Sequence, residues 1–452
     1  MAILTEAPAR QRTGVLTLVL ALTALVTSFT HSLLVPVLPG LPGLLGAEPS
    51  AVSWLVTSTV VVGAVANPLL GRLADLFGRK QVLLAAVGTF LGGSLLCALT
   101  TDLTLLIIGR SVQGISTVAI PLGISLLAGL VPPERRAGGI ALVSAMLGIG
   151  GAVAMPLAGV VAQLWGFHGL FWVCCATGVL ALAAVWWLVP ALPTTGERAP
   201  VDVVGALLLV VALTAVLLPL SRGGTWGWTS PLSLGLLLGG LVLLVVFGLV
   251  ALRRRAPIVD LRLAARRPVL LTNLAAFLTG FALFVNFLGT VTEFQTRYGL
   301  SVVLAGLGML PGGLLMAGLS PVAARLIPRV GAKRTLLYGS LVIVAGFAVH
   351  QLLRGSLWGV VTATTVIAGG IALSYSAMPT LILDATPPEQ AAAANGLNAL
   401  ARTLGSSVSS AVFGALAAAA GGPTLFFLLG ALSAVLATLV IAMPTGSGRD
   451  TS

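Results

Sequence analysis

The sequence predicts an all-α membrane protein: two similar six-helix bundles with a helix pair inserted between them. Three observations carry that reading. Hydrophobic residues make up 58% of the 452-residue chain and charged residues only 8%, with a mean hydropathy of +1.09, whereas soluble domains carry about 25% charged residues. Apolar runs long enough to cross about 30 Å of hydrocarbon occur at 14–38, 51–71, 81–99, 103–130, 138–162, 169–189, 202–220, 231–252, 269–293, 302–327, 333–353, 357–384, 391–420 and 423–444, fourteen expected spans. The chain also repeats itself. Pro68, Arg72, Leu73, Gly78 and Lys80 recur as Pro321, Arg325, Leu326, Gly331 and Lys333, and Pro132-Pro133-Glu134 recurs as Pro387-Pro388-Glu389. Matches at similar offsets predict a parallel duplication: residues 1–200 as one bundle, 201–252 as the inserted pair and 253–452 as the second bundle.

Charge fixes the expected orientation and removes other classes. A net charge of +12 would suggest nucleic acid in a soluble protein. Here nineteen Lys/Arg fall on one side of the expected spans against three on the other, which predicts cytosolic N- and C-termini, topology-setting cations and no nucleic-acid partner. The first apolar run exceeds a signal-peptide core, so the N-terminus is expected to be retained. The three cysteines, Cys97, Cys174 and Cys175, lie inside apolar runs with no metal or disulfide spacing. No phosphate-binding G-x-x-x-x-G-K-[ST] loop, H-E-x-x-H pair or G-x-S-x-G elbow occurs, so no cofactor, metal or enzymatic activity is expected.

Taken in order, the runs carry a small set of conspicuous polar residues. Span 1 holds His31, a group that titrates near neutral pH or a hydrogen-bonded structural residue. Between spans 2 and 3, Gly71, Arg72, Asp75, Gly78, Arg79 and Lys80 pack charges and glycines into ten residues. That is either an ordinary basic turn or a gate in which glycines let helix ends approach and ion-pair. Asp75 is expected near the start of span 13, around Ala391 to Asn395, paired with Arg79 or a neighbouring cation. At the repeat-related position stands Pro328, so such a gate is asymmetric. In span 4, Arg110 must face the bundle interior to find partners, near Gln113. Span 5 carries Gly148, Gly151, Pro156 and Gly159, residues that permit close helix approach or interrupt the backbone ladder. Glu293 ends span 9 four residues before Arg297, an i,i+4 pair. Arg402 lies eleven residues into span 13, about 16 Å deep at 1.5 Å per residue, where carbonyls, water, Asn398 or a substrate acid would have to satisfy it.

Several strings resemble a known family. Residues 71–80 are similar to the signature G-x-L-a-D-r-x-G-R-[KR] between the second and third helices of major facilitator superfamily transporters. Arg110, Gln113 and Gly114 match its R-x-x-Q-G in span 4. The run from Gly148 resembles the antiporter motif G-x-x-x-G-P-x-x-G-G, with Met155 and Val160 replacing two glycines. Gly224-Thr225-Trp226-Gly227-Trp228 and the stretch Pro257–Leu263 look like those of fourteen-span drug/proton antiporters. The resemblance implies the major facilitator fold and a single-chain multi-pass protein of the cell membrane, in contact with lipids. It would export amphipathic organic molecules in exchange for protons by alternating access. One departure stands out: aligned on Pro39, Thr30 replaces the aspartate of span 1, leaving His31, Glu293 and Asp384 as groups to titrate in its place beside the motif residue Arg110, with Glu293 better placed than the solvated Asp384, or another substrate and no proton coupling.

Overall fold

The computed structural model describes residues 3–34, 37, 40–192, 202–254, 257–416 and 422–443, and among them no strand occurs. The helices are α1 Ile3–Ser32, α2 Trp54–Phe77, α3 Arg79–Leu99, α4 Leu103–Leu130, α5 Pro133–Leu188, α6 Val203–Trp226, α7 Pro231–Arg253, α8 Arg267–Thr296, α9 Val302–Val330, α10 Ala332–Leu353, α11 Leu357–Asp384, α12 Ala391–Leu416 and α13 Gly422–Ala442. α5 turns at Gly166, whose φ of 69° breaks it into two arms. Several starts are capped by a side-chain oxygen accepting an otherwise orphaned first-turn N–H. Asp102 takes Leu105 N at 2.9 Å, Asp202 takes Gly205 N at 2.9 Å and Ser356 takes Gly359 N at 3.0 Å.

Where they are described, the fourteen expected runs fall almost wholly on helix, but fewer meet a span criterion. Among the described residues ten helices are long and apolar enough to cross a membrane, or eleven if Val303–Leu319 and Pro321–Val330 count as one span bent by 48°. Pro321 explains that bend, because its ring displaces a backbone carbonyl and its nitrogen donates no hydrogen bond. α1 is long, yet its apolar part is only Thr13–Phe29. In α12, Asn395, Asn398, Arg402 and four serines dilute the apolar content. The chain is thus a multi-pass membrane protein, and its surface agrees: Leu238, Val242, Val245 and Leu249 form an exposed stripe down α7, at helical spacing.

The predicted repeat reappears in the backbone. α2 ends and α3 begins at Gly78 (φ 104°), and α9 ends and α10 begins at Gly331 (φ 88°), a left-handed conformation that favours glycine. The next lysines act alike. Lys80 Nζ donates to the carbonyl of Trp186 at 2.8 Å, near the end of α5, and Lys333 Nζ donates to that of Met443 at 3.0 Å, just after α13.

One apolar core joins α1, α3, α4 and α5, and another joins α8, α9, α10, α11 and α13. Two long helix pairs link these cores: α5 packs on α9, and α2 packs on α12. α6 lies against both α2 and α12, so the inserted pair is not a detached appendage. Arg222 of α6 is 4% exposed. It bonds Ser53 Oγ and sits 4.7 Å over the Trp54 ring.

Candidate functional site

The richest polar cluster lies at the basic end of the bundle, where α2 meets α12. The Asp75 side chain is 1% exposed and faces the first turn of α12. Ala392 N–H donates to its Oδ1 at 3.2 Å and Ala393 N–H to its Oδ2 at 2.9 Å. Those N–H groups have no partner within their own helix, and the positive end of the helix dipole favours an anion there. Arg79 completes the cluster, its Nη2 3.1 Å and its Nε 3.3 Å from Asp75 Oδ1. The same guanidinium donates to the carbonyls of Ser125, at 3.2 Å, and of Pro388. One ion pair therefore ties α2, α4 and the start of α12 together.

Backbone proximity makes the cluster possible. A Cβ on Gly71 would stand 2.7 Å from the Ala392 carbonyl oxygen and 3.2 Å from Ala393 Cα. One turn further along α12, a Cβ on Gly396 would meet the carbonyl carbon of Asn67 at 3.0 Å. Glycine at both positions lets two helices touch backbone to backbone. Arg72 is half-buried beside this contact, and Lys80 points to Trp186 rather than to Asp75.

Arg110, Glu293 and Arg402 sit in three separate networks. Arg110 is 1% exposed, as an intramembrane cation requires. Its Nε donates to the Leu55 carbonyl at 3.0 Å and its Nη1 to Gln113 Oε1 at 2.8 Å, while Gln113 Nε2 donates to Ser94 Oγ at 2.7 Å. With Thr59 Oγ1 donating to the Arg110 carbonyl at 3.1 Å, the network ties α2, α3 and α4.

Glu293 makes the expected i,i+4 pair with Arg297 at 3.3 Å, and a contact the sequence did not suggest. His350 Nε2, on α10, lies 2.8 Å from its other oxygen. The imidazole is stacked on Phe427, centroids 3.8 Å apart, and its Nδ1 is buried without a partner. A π-helical segment, Val285–Gly289, precedes Glu293 in α8, and such segments mark functional positions more often than chance.

Arg402 is 7% exposed, with its Cζ 4.8 Å over the ring of Tyr375 on α11. Among the described residues its guanidinium makes no hydrogen bond or ion pair, and Nη1 is buried and unpartnered. Asn398, one turn away, donates instead to Asn273 at 3.1 Å. A charge at the centre of a membrane helix costs at least about 2.5–3.5 kcal/mol. A desolvated cation–π contact returns about 2, so Tyr375 alone does not balance it.

In the span 5 motif, Gly151 is half-buried, and buried Gly159 packs toward Val303 of α9 at 3.4 Å. The side chains of His31 and Pro156, the surroundings of Gly148, and Pro39 lie outside the described residues. Sequence reasoning missed His350, Tyr375 and Arg222. The signal for His350 and Tyr375 was a polar or aromatic residue in an apolar run, and for Arg222 a cation just past one, each with its partner far along the chain.

Comparison with known proteins agrees with this architecture. Residues 20–410 match the family model for the Major Facilitator Superfamily. The chain is 29% identical over 417 residues to the multidrug resistance protein Stp of Mycobacterium tuberculosis, covering 90% of this chain and 76% of that one. It is 27% identical over 403 residues to the multidrug export protein EmrB of Escherichia coli, covering 88% and 79%. Among solved structures, the human organic anion transporter MFSD10 superposes with a TM-score of 0.71 over 95% of this chain and 99% of that one, at 17% identity. That likeness concerns the fold.

Proposed function

This chain belongs to the Major Facilitator Superfamily of transporters, and on that premise we propose that it exports amphipathic organic compounds in exchange for protons by alternating access. The observation that carries the mechanism is the Asp75 cluster. It joins α2 to α12 across the junction of the two cores, and opening the basic end would break these bonds. Breaking it returns Asp75 and the α12 N–H groups to water, so the two states differ by only a few kcal/mol, as a cycling transporter needs. The positive-inside bias makes the basic end cytosolic, with both termini on that side of the cell membrane. On this reading the contact between α2 and α12 shuts the cytosolic side.

Export, rather than uptake, is supported by relatives that carry multidrug resistance and export in their names and by the glycine-rich run of α5. Proton coupling is assigned to the Glu293–His350 pair, because Thr30 stands where the resembled antiporters carry an acid. That same substitution favours a second reading, a facilitator of another small molecule without proton coupling. Purified protein in proteoliposomes, loaded with a fluorescent amphipathic dye and given an imposed pH gradient, separates the two. Gradient-dependent dye movement is expected; movement independent of the gradient supports the second reading, and none defeats both.

A further inference from the structure

Arg402 is a buried cation with no acidic partner among the described residues. Among those residues no acidic side chain lies in the middle of a helix. Asp75, Glu293 and Asp384 sit in the last turns of α2, α8 and α11, Asp102, Asp202 and Asp260 cap helix starts, and Glu134 opens α5. None can reach a guanidinium eleven residues into α12. The two other candidate charges differ: Arg110 is held by a carbonyl and Gln113, and Glu293 by His350 and Arg297.

The surroundings of Arg402 suit a ligand. Tyr375 covers one face of the planar guanidinium, which leaves the edge that carries the N–H groups, and Nη1 is buried there without an acceptor. Unpartnered polar atoms lie close by in the chain: Asn398 Oδ1 one turn back, and Thr279 Oγ1 beside Gly280, the glycine against which the Arg402 backbone packs. The apolar core that Tyr375 shares includes Ala276 and Phe281 of α8 and Ile371 and Ala372 of α11, all buried. A guanidinium edge offers two parallel donors matched to a carboxylate, and apolar walls accept the remainder of an amphipathic molecule.

We infer that Arg402 is the anion subsite of the transport pathway, taking the carboxylate of an amphipathic organic acid that approaches when α8, α11 and α12 part. The inference rests on the transporter reading above and narrows its substrate class. In the closed arrangement Tyr375 shields the cation, and a bound acid replaces that shielding with two charge-assisted hydrogen bonds.

The test is equilibrium binding of 2-naphthoate and of its neutral isostere 2-naphthamide to the purified full-length protein. Wild type should bind the acid at least about tenfold more tightly than the amide, and Arg402→Gln should bind the two alike. Arg402→Lys should keep an intermediate preference, since an ammonium supplies charge without the fork. No preference in wild type, or a preference unchanged in Arg402→Gln, overturns the assignment. Should Arg402→Gln fail to fold, Arg402→Lys decides, and an unchanged preference there overturns it too. Flux of the same compounds in proteoliposomes separates the two readings: binding preference without flux overturns transport and leaves the subsite, whereas flux without preference overturns the subsite alone.

Discussion

Glu293 and His350, fifty-seven positions apart in the chain, meet through one carboxylate oxygen and Nε2 at 2.8 Å, at the end of the bundle opposite the Asp75 cluster. Arg297, half exposed just past the end of α8, holds the second oxygen at 3.3 Å, and Phe427 covers the imidazole. Tyr298 and Arg354 stand nearby, but Tyr298 donates to the Arg354 carbonyl and Arg354 donates to Thr424. A carboxylate and an imidazole in hydrogen-bond contact can pass one proton between them. Glu293→Gln and His350→Gln should each abolish the response of transport to an imposed pH gradient while substrate exchange persists, and His31→Gln should change little. Unchanged pH profiles in both paired variants, measured in proteoliposomes, would remove the coupling role from this pair.

Asp75→Asn keeps the shape of the α2–α12 junction but removes the charge that Ala392, Ala393 and Arg79 face. Hydrogen bonds to charged groups contribute about 1.5–3 kcal/mol each, so the bias toward a closed basic end should fall by about tenfold or more. Transport should drop accordingly, with expression and melting temperature near wild type because the cluster is not part of the apolar core. Wild-type flux in Asp75→Asn would show that the junction shuts without it.

Arg110 supports a different expectation, because Gln113 Oε1 depends on it. Arg110→Ala leaves Gln113 Oε1 buried without its donor, at about 1–3 kcal/mol, while the Leu55 carbonyl keeps Thr59 Oγ1 at 3.1 Å. Both melting temperature and flux should therefore fall. Arg110→Lys should recover stability in part, since one ammonium cannot occupy both positions of the fork. Full stability of Arg110→Ala would mean that Gln113 and Ser94 re-pair alone.

Much of this was legible in the sequence because it is local or repeated. Apolar runs fix the helices, and the 253-residue offset places Gly78 and Gly331 at the same left-handed turn. Asp75 could be placed at the start of α12 because only a free helix N-terminus there offers an anion its partners. Contacts set by packing between distant helices were not legible. His350 is one polar residue in an apolar run, and nothing in its neighbours says that α10 faces the end of α8. Tyr375 likewise meets Arg402 only through the register of α11 against α12. Among the described residues ten or eleven helices meet the length and hydropathy of a membrane span, and polar residues such as Asn395, Asn398 and Arg402 set α12 apart from them.

Gly71→Ala sets two local effects against each other and decides how the basic end closes. Alanine stabilises a helix interior by about 0.8–1 kcal/mol relative to glycine, so α2 itself should be no less stable. In the closed arrangement, however, the new methyl would stand 2.7 Å from the Ala392 carbonyl oxygen, a backbone atom that cannot swing aside. α2 and α12 must then separate, which lengthens the bonds from Ala392 and Ala393 to Asp75 and weakens the cluster without touching its charges. The variant should keep its melting temperature, lose most flux and shift toward the state open at the basic end. Spin labels at positions 77 and 389, both exposed at that end, read the change in a background with the three cysteines replaced. A longer mean distance in Gly71→Ala than in wild type is expected, and an unchanged distribution would mean that the two backbones do not need to touch for the end to close.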